Sequence, residues 1–83
     1  MTPADIRAAF LADLVSVAPD IDPGSVADSD HLQDDLEIDS MDFLNLVAAL
    51  HVRFGLPIPE ADYRHLATPG SAVRYLAAQL GQA

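Results

Sequence analysis

The sequence predicts an all-α fold: a four-helix bundle with a long loop between the first and second helices and a short third helix. Two observations favour it. Apolar residues recur every three or four positions in three segments, and a proline or glycine ends each of them. The chain of 83 residues has room for one such unit, so we predict a single domain over residues 1–83.

The first helix is predicted from Pro3 to residue 17 or 18. Thr2 is a suitable N-cap, Pro3 takes the first helical position, and Pro19 stops the helix. A connection over residues 18–39 follows. Because structureless loops of this length are uncommon in compact domains, we expect it to contain a helical turn and to be pinned to the core. The apolar residues expected to pin it are Val26, Leu32, Leu36 and Ile38.

The second helix is predicted from Ser40 to Phe54, with Gly55 as its C-terminal residue. A short third helix over about Glu60 to Leu66 follows. The fourth helix begins at Thr68-Pro69 and closes at Gly81. Its apolar stripe has helical spacing and consists of Val73, Leu76, Ala77 and Leu80.

The second helix is apolar on two sides. Its core face is predicted to hold Phe43, Leu46, Val47, Leu50 and Phe54. The roughly opposite side holds Met41, Ala48 and Val52, with Leu44 at an intermediate angle. Single exposed apolar residues are common, and the long loop could cover these ones. A cluster of them also fits a contact surface for a partner protein.

Charge is concentrated in one part of the chain. The formal net charge is -9 and there is no lysine. Nine acidic residues lie between Asp20 and Asp42, with no Lys or Arg among them, and we call this segment the acidic band. The rest of the chain has four acids and four arginines, so its formal charge is zero. This distribution argues against nucleic acid and anionic membranes as partners. The band is either a solvated loop or a docking surface for basic partners.

Composition excludes several other classes. Without cysteine the chain forms no disulfide, and its three histidines (His31, His51 and His65) lie 20 and 14 residues apart, so we expect no metal site. No segment reaches the roughly 18 apolar residues of a membrane span. The N-terminus lacks a signal-peptide pattern. We therefore expect a cytoplasmic protein, and the start at Met1 and end at Ala83 fit a free-standing one.

Ser40 is the candidate site of chemistry. It lacks the G-x-S-x-G setting of a serine nucleophile, and its sequence neighbours are carboxylates rather than a histidine base, so we expect no enzyme activity. A hydroxyl at a helix N-terminus is instead well placed to carry a phosphate, because free backbone N–H groups and the helix dipole favour negative charge there. The position therefore favours modification of the serine.

Around this serine the sequence resembles the acyl carrier protein family. The resemblance rests on Asp35-Leu36-x-x-Asp39-Ser40-Met41-Asp42, on Arg53-Phe54-Gly55 and Ile58-Pro59, and on Thr68-Pro69-Gly70-Ser71-Ala72-Val73. It implies that Ser40 Oγ accepts 4′-phosphopantetheine from coenzyme A through a phosphopantetheinyl transferase, with Asp39 in a supporting role. The terminal thiol then holds acyl groups as thioesters, and the protein itself catalyses nothing.

The resemblance also implies partners and a cargo site. The second helix would dock on basic patches of acyl-ligase or ketosynthase-type enzymes, and the carrier would be a monomer. The partner-binding residues implied are Asp35, Glu37, Met41, Asp42, Leu44 and Ala48. Long acyl chains would tuck between the helices, near Phe10, Leu50, Val73 and Leu76.

The sequence departs from the family pattern at three places. Glu37 replaces a common glycine, which predicts a stiffer loop, and Met41 replaces the usual leucine. The end of the second helix, usually acidic, reads Asn45, His51, Val52 and Arg53. We therefore expect a specialised lipid or secondary-metabolite pathway. The alternatives are a peptidyl or aryl carrier domain, which usually has glycines before the serine, and an acidic helical interaction module without cofactor.

Overall fold

Three α-helices and two 3₁₀ segments make up the computed structural model, which describes residues 1–81. The α-helices are α1 (Pro3–Val17), α2 (Ser40–Phe54) and α3 (Pro69–Gln79). A 3₁₀ turn, Pro23–Ser25, lies in the long loop, and a 3₁₀ helix, Glu60–Leu66, joins α2 to α3. The four-helix all-α fold is confirmed, with the short third helix formed as 3₁₀. The last two residues of the predicted domain, Gln82 and Ala83, lie outside the described residues.

Local capping explains where the helices begin. Thr2 Oγ1 accepts a hydrogen bond from Asp5 N (3.1 Å), and Thr2 N donates to Asp5 Oδ2 (3.2 Å), which completes a capping box at α1. At α3, Thr68 Oγ1 accepts from Ser71 N at 3.2 Å. Each cap is followed by a proline whose fixed φ suits the first helical position.

Glycine ends α2 for a conformational reason. Gly55 has a φ of 65°, in the left-handed region, and its N–H donates to the carbonyl of His51 at 2.9 Å. A residue with a Cβ is strained in this conformation, so glycine at this position stops the helix and turns the chain. The predicted C-terminal residue of α2 is confirmed.

The core lies where α1 packs against both α2 and α3, with the 3₁₀ helix packed on α3. Leu46, Val47 and Leu50 of the predicted α2 core face are buried, whereas Phe43 and Phe54 are half-buried at its edges. The largest apolar side chains with almost no exposure are Phe10, Ile6, Leu14, Leu32, Leu46, Leu50, Leu66 and Leu76. None of the helices within residues 1–81 is long and apolar enough to cross a membrane.

The long loop is anchored, as the sequence predicts. Val26, Leu32 and Ile38 are buried, and Leu36 packs half-buried against the core. Backbone hydrogen bonds add to this, because Leu32 N donates to the carbonyl of Ala67 (2.9 Å) and Gly70 N to that of Asp28 (3.0 Å). The loop is therefore fixed against the start of α3 before it turns to present α2.

Candidate functional site around Ser40

Ser40 is the exposed first residue of α2. Asp39, not Ser40, caps the helix: its Oδ1 accepts a hydrogen bond from Asp42 N at 2.7 Å. The hydrogen bonds within residues 1–81 leave the Ser40 hydroxyl unused. An accessible alcohol therefore lies at the positive end of a helix, in the setting that suits linkage to a phosphate.

The segment before Ser40 is held at both ends. His31 N donates to Asp35 Oδ2 at 2.8 Å, which closes a turn. Two residues before the serine, the Ile38 side chain is buried and Ile38 N donates to the carbonyl of Leu32 at 3.1 Å. These contacts place Ser40 at an exposed corner of a rigid support, so access to its hydroxyl does not depend on loop disorder.

Glu37 is the one non-glycine residue within 1–81 that has a positive φ, at 60°. This is the position where the resembling family commonly has glycine. A side chain in the left-handed region costs free energy because its Cβ approaches the following carbonyl oxygen. The exposed Glu37 therefore places local backbone strain three residues before Ser40.

The predicted partner-binding residues are accessible, and their role in docking stays a prediction. Asp35, Glu37, Met41, Leu44 and Ala48 are exposed, and Asp42 is half-buried. Met41 keeps 65% of its surface exposed, Leu44 49% and Val52 81%. The long loop therefore does not cover the second apolar side of α2, which leaves a surface for contact with other molecules.

Part of the acidic band is structural. Four of its carboxylates accept backbone N–H groups close in sequence, at distances of 2.7–3.0 Å: Asp22, Asp30, Asp35 and Asp39. Asp28 pairs with Arg7 Nε at 2.8 Å. These bonds hold the turns of the loop and leave other carboxylate oxygens facing water. The loop and docking interpretations of the band are therefore compatible.

At the other end of α2, two polar side chains are bonded within the fold. Arg53 forms a two-pronged ion pair with the buried Asp13 of α1, with Nε–Oδ2 at 2.9 Å and Nη2–Oδ1 at 2.8 Å. Hydrogen bonding and the negative charge of Asp13 raise the pKa of Arg53. His51 Nδ1 lies 2.6 Å from the carbonyl of Leu56, which makes it a donor. The ion pair between Arg53 and Asp13 was not predicted from the sequence. Its only signal in the sequence is an acid, Asp13, among the apolar residues of α1.

An apolar cleft begins one turn after Ser40, between α2 and the segment that includes the 3₁₀ helix. Its volume is about 580 Å³, and it is lined by Leu44, Val47, Ala48, His51, Pro57, Ile58, Pro59 and Tyr63. Of the residues predicted near an acyl chain, Phe10, Leu50 and Leu76 are buried core residues and Val73 is half-buried. The cleft therefore has a different lining, and the predicted cargo role of those four stays a prediction.

The Ser40 hydroxyl is suited to a covalently attached group. No group of three or more histidine or carboxylate side chains in the described range 1–81 could hold a metal ion. The Ser40 hydroxyl fits a phosphate ester, because it is exposed, it is not needed for capping, and it lies at the positive end of the α2 dipole. The chemistry open to this surface is to carry an attached group.

The region around Ser40 also matches a known protein family. The family model described as "Phosphopantetheine attachment site" matches residues 9–76, which include the second half of α1, the long loop, Ser40 with the rest of α2, and most of α3.

Individual proteins similar to the chain agree with this match. The acyl carrier protein of Lactobacillus johnsonii is 39% identical over 66 residues, which are 80% of this chain and 82% of that protein. The acyl carrier protein AcpXL of Rhizobium etli is 41% identical over 49 residues, 59% of this chain and 53% of that protein. A solved structure of the acyl carrier protein from Enterococcus faecalis has a TM-score of 0.74 at 27% identity and covers 95% of this chain and 99% of that one.

Proposed function

This chain belongs to the acyl carrier protein family, and from that premise we propose that Ser40 Oγ is the attachment point for its phosphopantetheine arm. The covalent cofactor of the family is 4′-phosphopantetheine, and membership assigns that cofactor to this chain. When bound, the arm supplies a terminal thiol that holds acyl groups as thioesters. The chain itself provides the attachment point and the surfaces that other enzymes read.

One observation carries the assignment to Ser40. Its hydroxyl is exposed at the first position of α2, while Asp39 takes over the capping that a serine at a helix start often performs. Asp39 supports the site in this way, because its bond to Asp42 N caps the first turn of α2 without using the Ser40 hydroxyl. The phosphate of the arm then lies at the positive end of the helix dipole.

The partners follow from the surface beside Ser40. A phosphopantetheinyl transferase supplies the arm, and acyl-handling enzymes load and unload it. We propose that these enzymes are of the acyl-ligase or ketosynthase type and meet the carrier through basic patches. Exposed acids (Asp35, Glu37) and exposed apolar side chains (Met41, Leu44) provide both charge attraction and buried contact area for that purpose. The carrier acts as a cytoplasmic monomer in this proposal.

We further propose that the carrier serves a specialised lipid or secondary-metabolite pathway. The second half of its exposed α2 surface offers no free acid: Val52 is apolar and 81% exposed, and Arg53 is bound to Asp13. An enzyme that relies on basic residues along the whole of α2 finds charge only at the start of the helix. Inefficient turnover with the ketosynthases of general fatty acid synthesis is the expected result, and normal turnover would contradict the proposal.

The attachment site is tested by intact-mass measurement. The purified protein is mixed with coenzyme A, Mg²⁺ and a broad-specificity phosphopantetheinyl transferase, in parallel with Ser40→Ala and Ser29→Ala. Ser29 is a matched control, because it is an exposed serine in the same acidic loop. We expect one phosphopantetheine increment on the wild type and on Ser29→Ala, and none on Ser40→Ala. Absence of an increment with several transferases, or its persistence in Ser40→Ala, would contradict the assignment.

A further inference from the structure

Two aromatic rings meet between α2 and the 3₁₀ helix. Phe43 of α2 and Tyr63 of the 3₁₀ helix have ring centroids 5.9 Å apart and an interplanar angle of 69°, an edge-to-face contact. Both side chains are half-buried. Such a contact is favourable because the positive edge of one ring faces the negative face of the other. The two rings therefore close the space between the two elements at this level.

The ring pair lies directly below the attachment point. Phe43 and Leu44 follow Ser40 by three and four residues, so they lie one turn along α2 on the same side as the serine. Leu44 and Tyr63 line the apolar cleft. Phe43 and Tyr63 also line a second pocket of about 230 Å³ beneath the long loop. Tyr63 therefore lies between the cleft and the loop-side pocket, and Phe43 packs against it on the pocket side.

Tyr63 is held in place by bonds on both sides of it in the 3₁₀ helix. Tyr75 of α3 donates its hydroxyl to Asp62 Oδ2 at 2.8 Å, and the His65 ring stacks on Tyr75 at a centroid distance of 5.4 Å. Burial and this hydrogen bond raise the pKa of Tyr75 to about 12, because both favour the protonated hydroxyl that donates to Asp62. Ser71 Oγ also donates to the carbonyl of His65 at 2.7 Å. The 3₁₀ helix that carries Tyr63 is therefore fixed to α3.

The core beside the ring pair is filled. Leu46, Leu50 and Leu66, which lie on the two facing elements, have no exposed surface. Interiors packed to this degree accept an added chain only when side chains or helices move apart. A movement of the 3₁₀ helix away from α2 at this level breaks the contact between Phe43 and Tyr63.

We propose that Phe43 and Tyr63 are specificity-determining residues that limit the length of acyl cargo the fold can shelter. The inference rests on the proposed carrier function of Ser40. A short acyl group contacts the cleft side chains Leu44, Val47 and Ile58 outside the ring pair. A longer one cannot pass between the rings, so its additional carbons stay in water and add nothing to the stability of the folded carrier.

The test compares acyl lengths on three proteins. Butyryl, octanoyl and dodecanoyl pantetheine groups are loaded on the wild type, on Tyr63→Ala and on Tyr63→Phe, and intact mass verifies each loading. The thermal midpoint and the rate of thioester cleavage by hydroxylamine are then measured. Tyr63→Phe is the matched control because it keeps the ring. Phe43→Leu removes the other ring and serves if Tyr63→Ala does not fold.

We expect Tm and cleavage rate to level off with acyl length in the wild type and in Tyr63→Phe. In Tyr63→Ala or Phe43→Leu, Tm should continue to rise from butyryl to dodecanoyl and cleavage should slow several-fold. If Tm and cleavage rate depend on acyl length in the same way in the wild type and in the ring-deleted variants, the proposed role of Phe43 and Tyr63 is wrong. The carrier function is not affected by that result. A chain that accepts no pantetheine group at Ser40 overturns both proposals, and the mass spectrum distinguishes the two failures.

Discussion

The two ends of α2 use their polar side chains in opposite ways. At the start, Ser40 and Met41 are exposed beside acids whose bonds are to nearby backbone. At the end, Arg53 is bound to Asp13 of α1 and His51 to the carbonyl of Leu56. One helix thus keeps its first half available to other molecules, while its last half is tied to the rest of the fold.

The difference shows why net charge alone describes this surface poorly. The ion pair at the end of α2 is partly shielded, since the Asp13 side chain is only 10% exposed. A charge satisfied inside the fold contributes little to attraction at long range, whereas solvated acids at the start of α2 act on an approaching basic surface. In the proposed function, a basic partner is therefore attracted to the end of the helix that presents Ser40.

The largest effect on stability is expected from the buried face of the last half of α2. Leu50→Ala should lower the free energy of unfolding by about 3 kcal/mol, because a fully buried leucine leaves a cavity. Val52→Ala, two residues further on the exposed side, should change it by less than about 0.5 kcal/mol. Urea unfolding of both variants checks this pair, and equal losses would show that Val52 is not on a free surface.

Removing the ion pair between Arg53 and Asp13 should lower the stability of the fold by a smaller amount, without changing the modification of Ser40. Asp13→Asn keeps the shape of the side chain but loses its charge, so Arg53 is held less firmly and Tm should fall. The exposed loop variant Asp20→Asn is the control for loss of one negative charge. The rate of pantetheine transfer to Ser40 should stay unchanged in Asp13→Asn, and a slower rate would mean that the two ends of α2 are coupled.

A substitution of the N-cap residue Asp39 tests the exposed start of α2. Asp39→Ala should lower the free energy of unfolding by about 1 kcal/mol, because Asp42 N loses its acceptor. Asn caps helices as well as Asp, so Asp39→Asn should retain most of the stability and separates capping from charge. Chemical denaturation gives the stability, and a loss in Asp39→Asn equal to that in Asp39→Ala would show that the charge, not the cap, is what matters.

The smallest effect is expected at the strained residue before Ser40. Glu37→Gly should be more stable than Glu37→Ala by about 0.5 kcal/mol, since glycine removes the left-handed strain but costs more chain entropy on folding. Alanine is the proper reference because it lacks the carboxylate but keeps the Cβ. Careful denaturation of the two variants measures the difference, and a more stable alanine variant would show that residue 37 is not strained.

Local features of the sequence were enough to predict the elements of this fold. Thr2-Pro3, Thr68-Pro69 and Gly55 mark helix ends through caps and backbone preferences that act within a few residues, and each is confirmed. The anchoring of the long loop was predictable too, because Val26, Leu32 and Ile38 had no other place to bury their side chains. Ser40 at the start of α2 follows from the same short-range rules.

What the sequence by itself determined is therefore the helices, the exposed serine at the start of α2 and the family they belong to. Only the tertiary structure decided that Arg53 pairs with Asp13, that Phe43 meets Tyr63 and that Glu37 has a left-handed backbone. Asp13 and Arg53 are 40 residues apart in the chain. Periodicity assigns a residue to a face of its own helix, but which side chain of another element lies opposite depends on how whole helices pack.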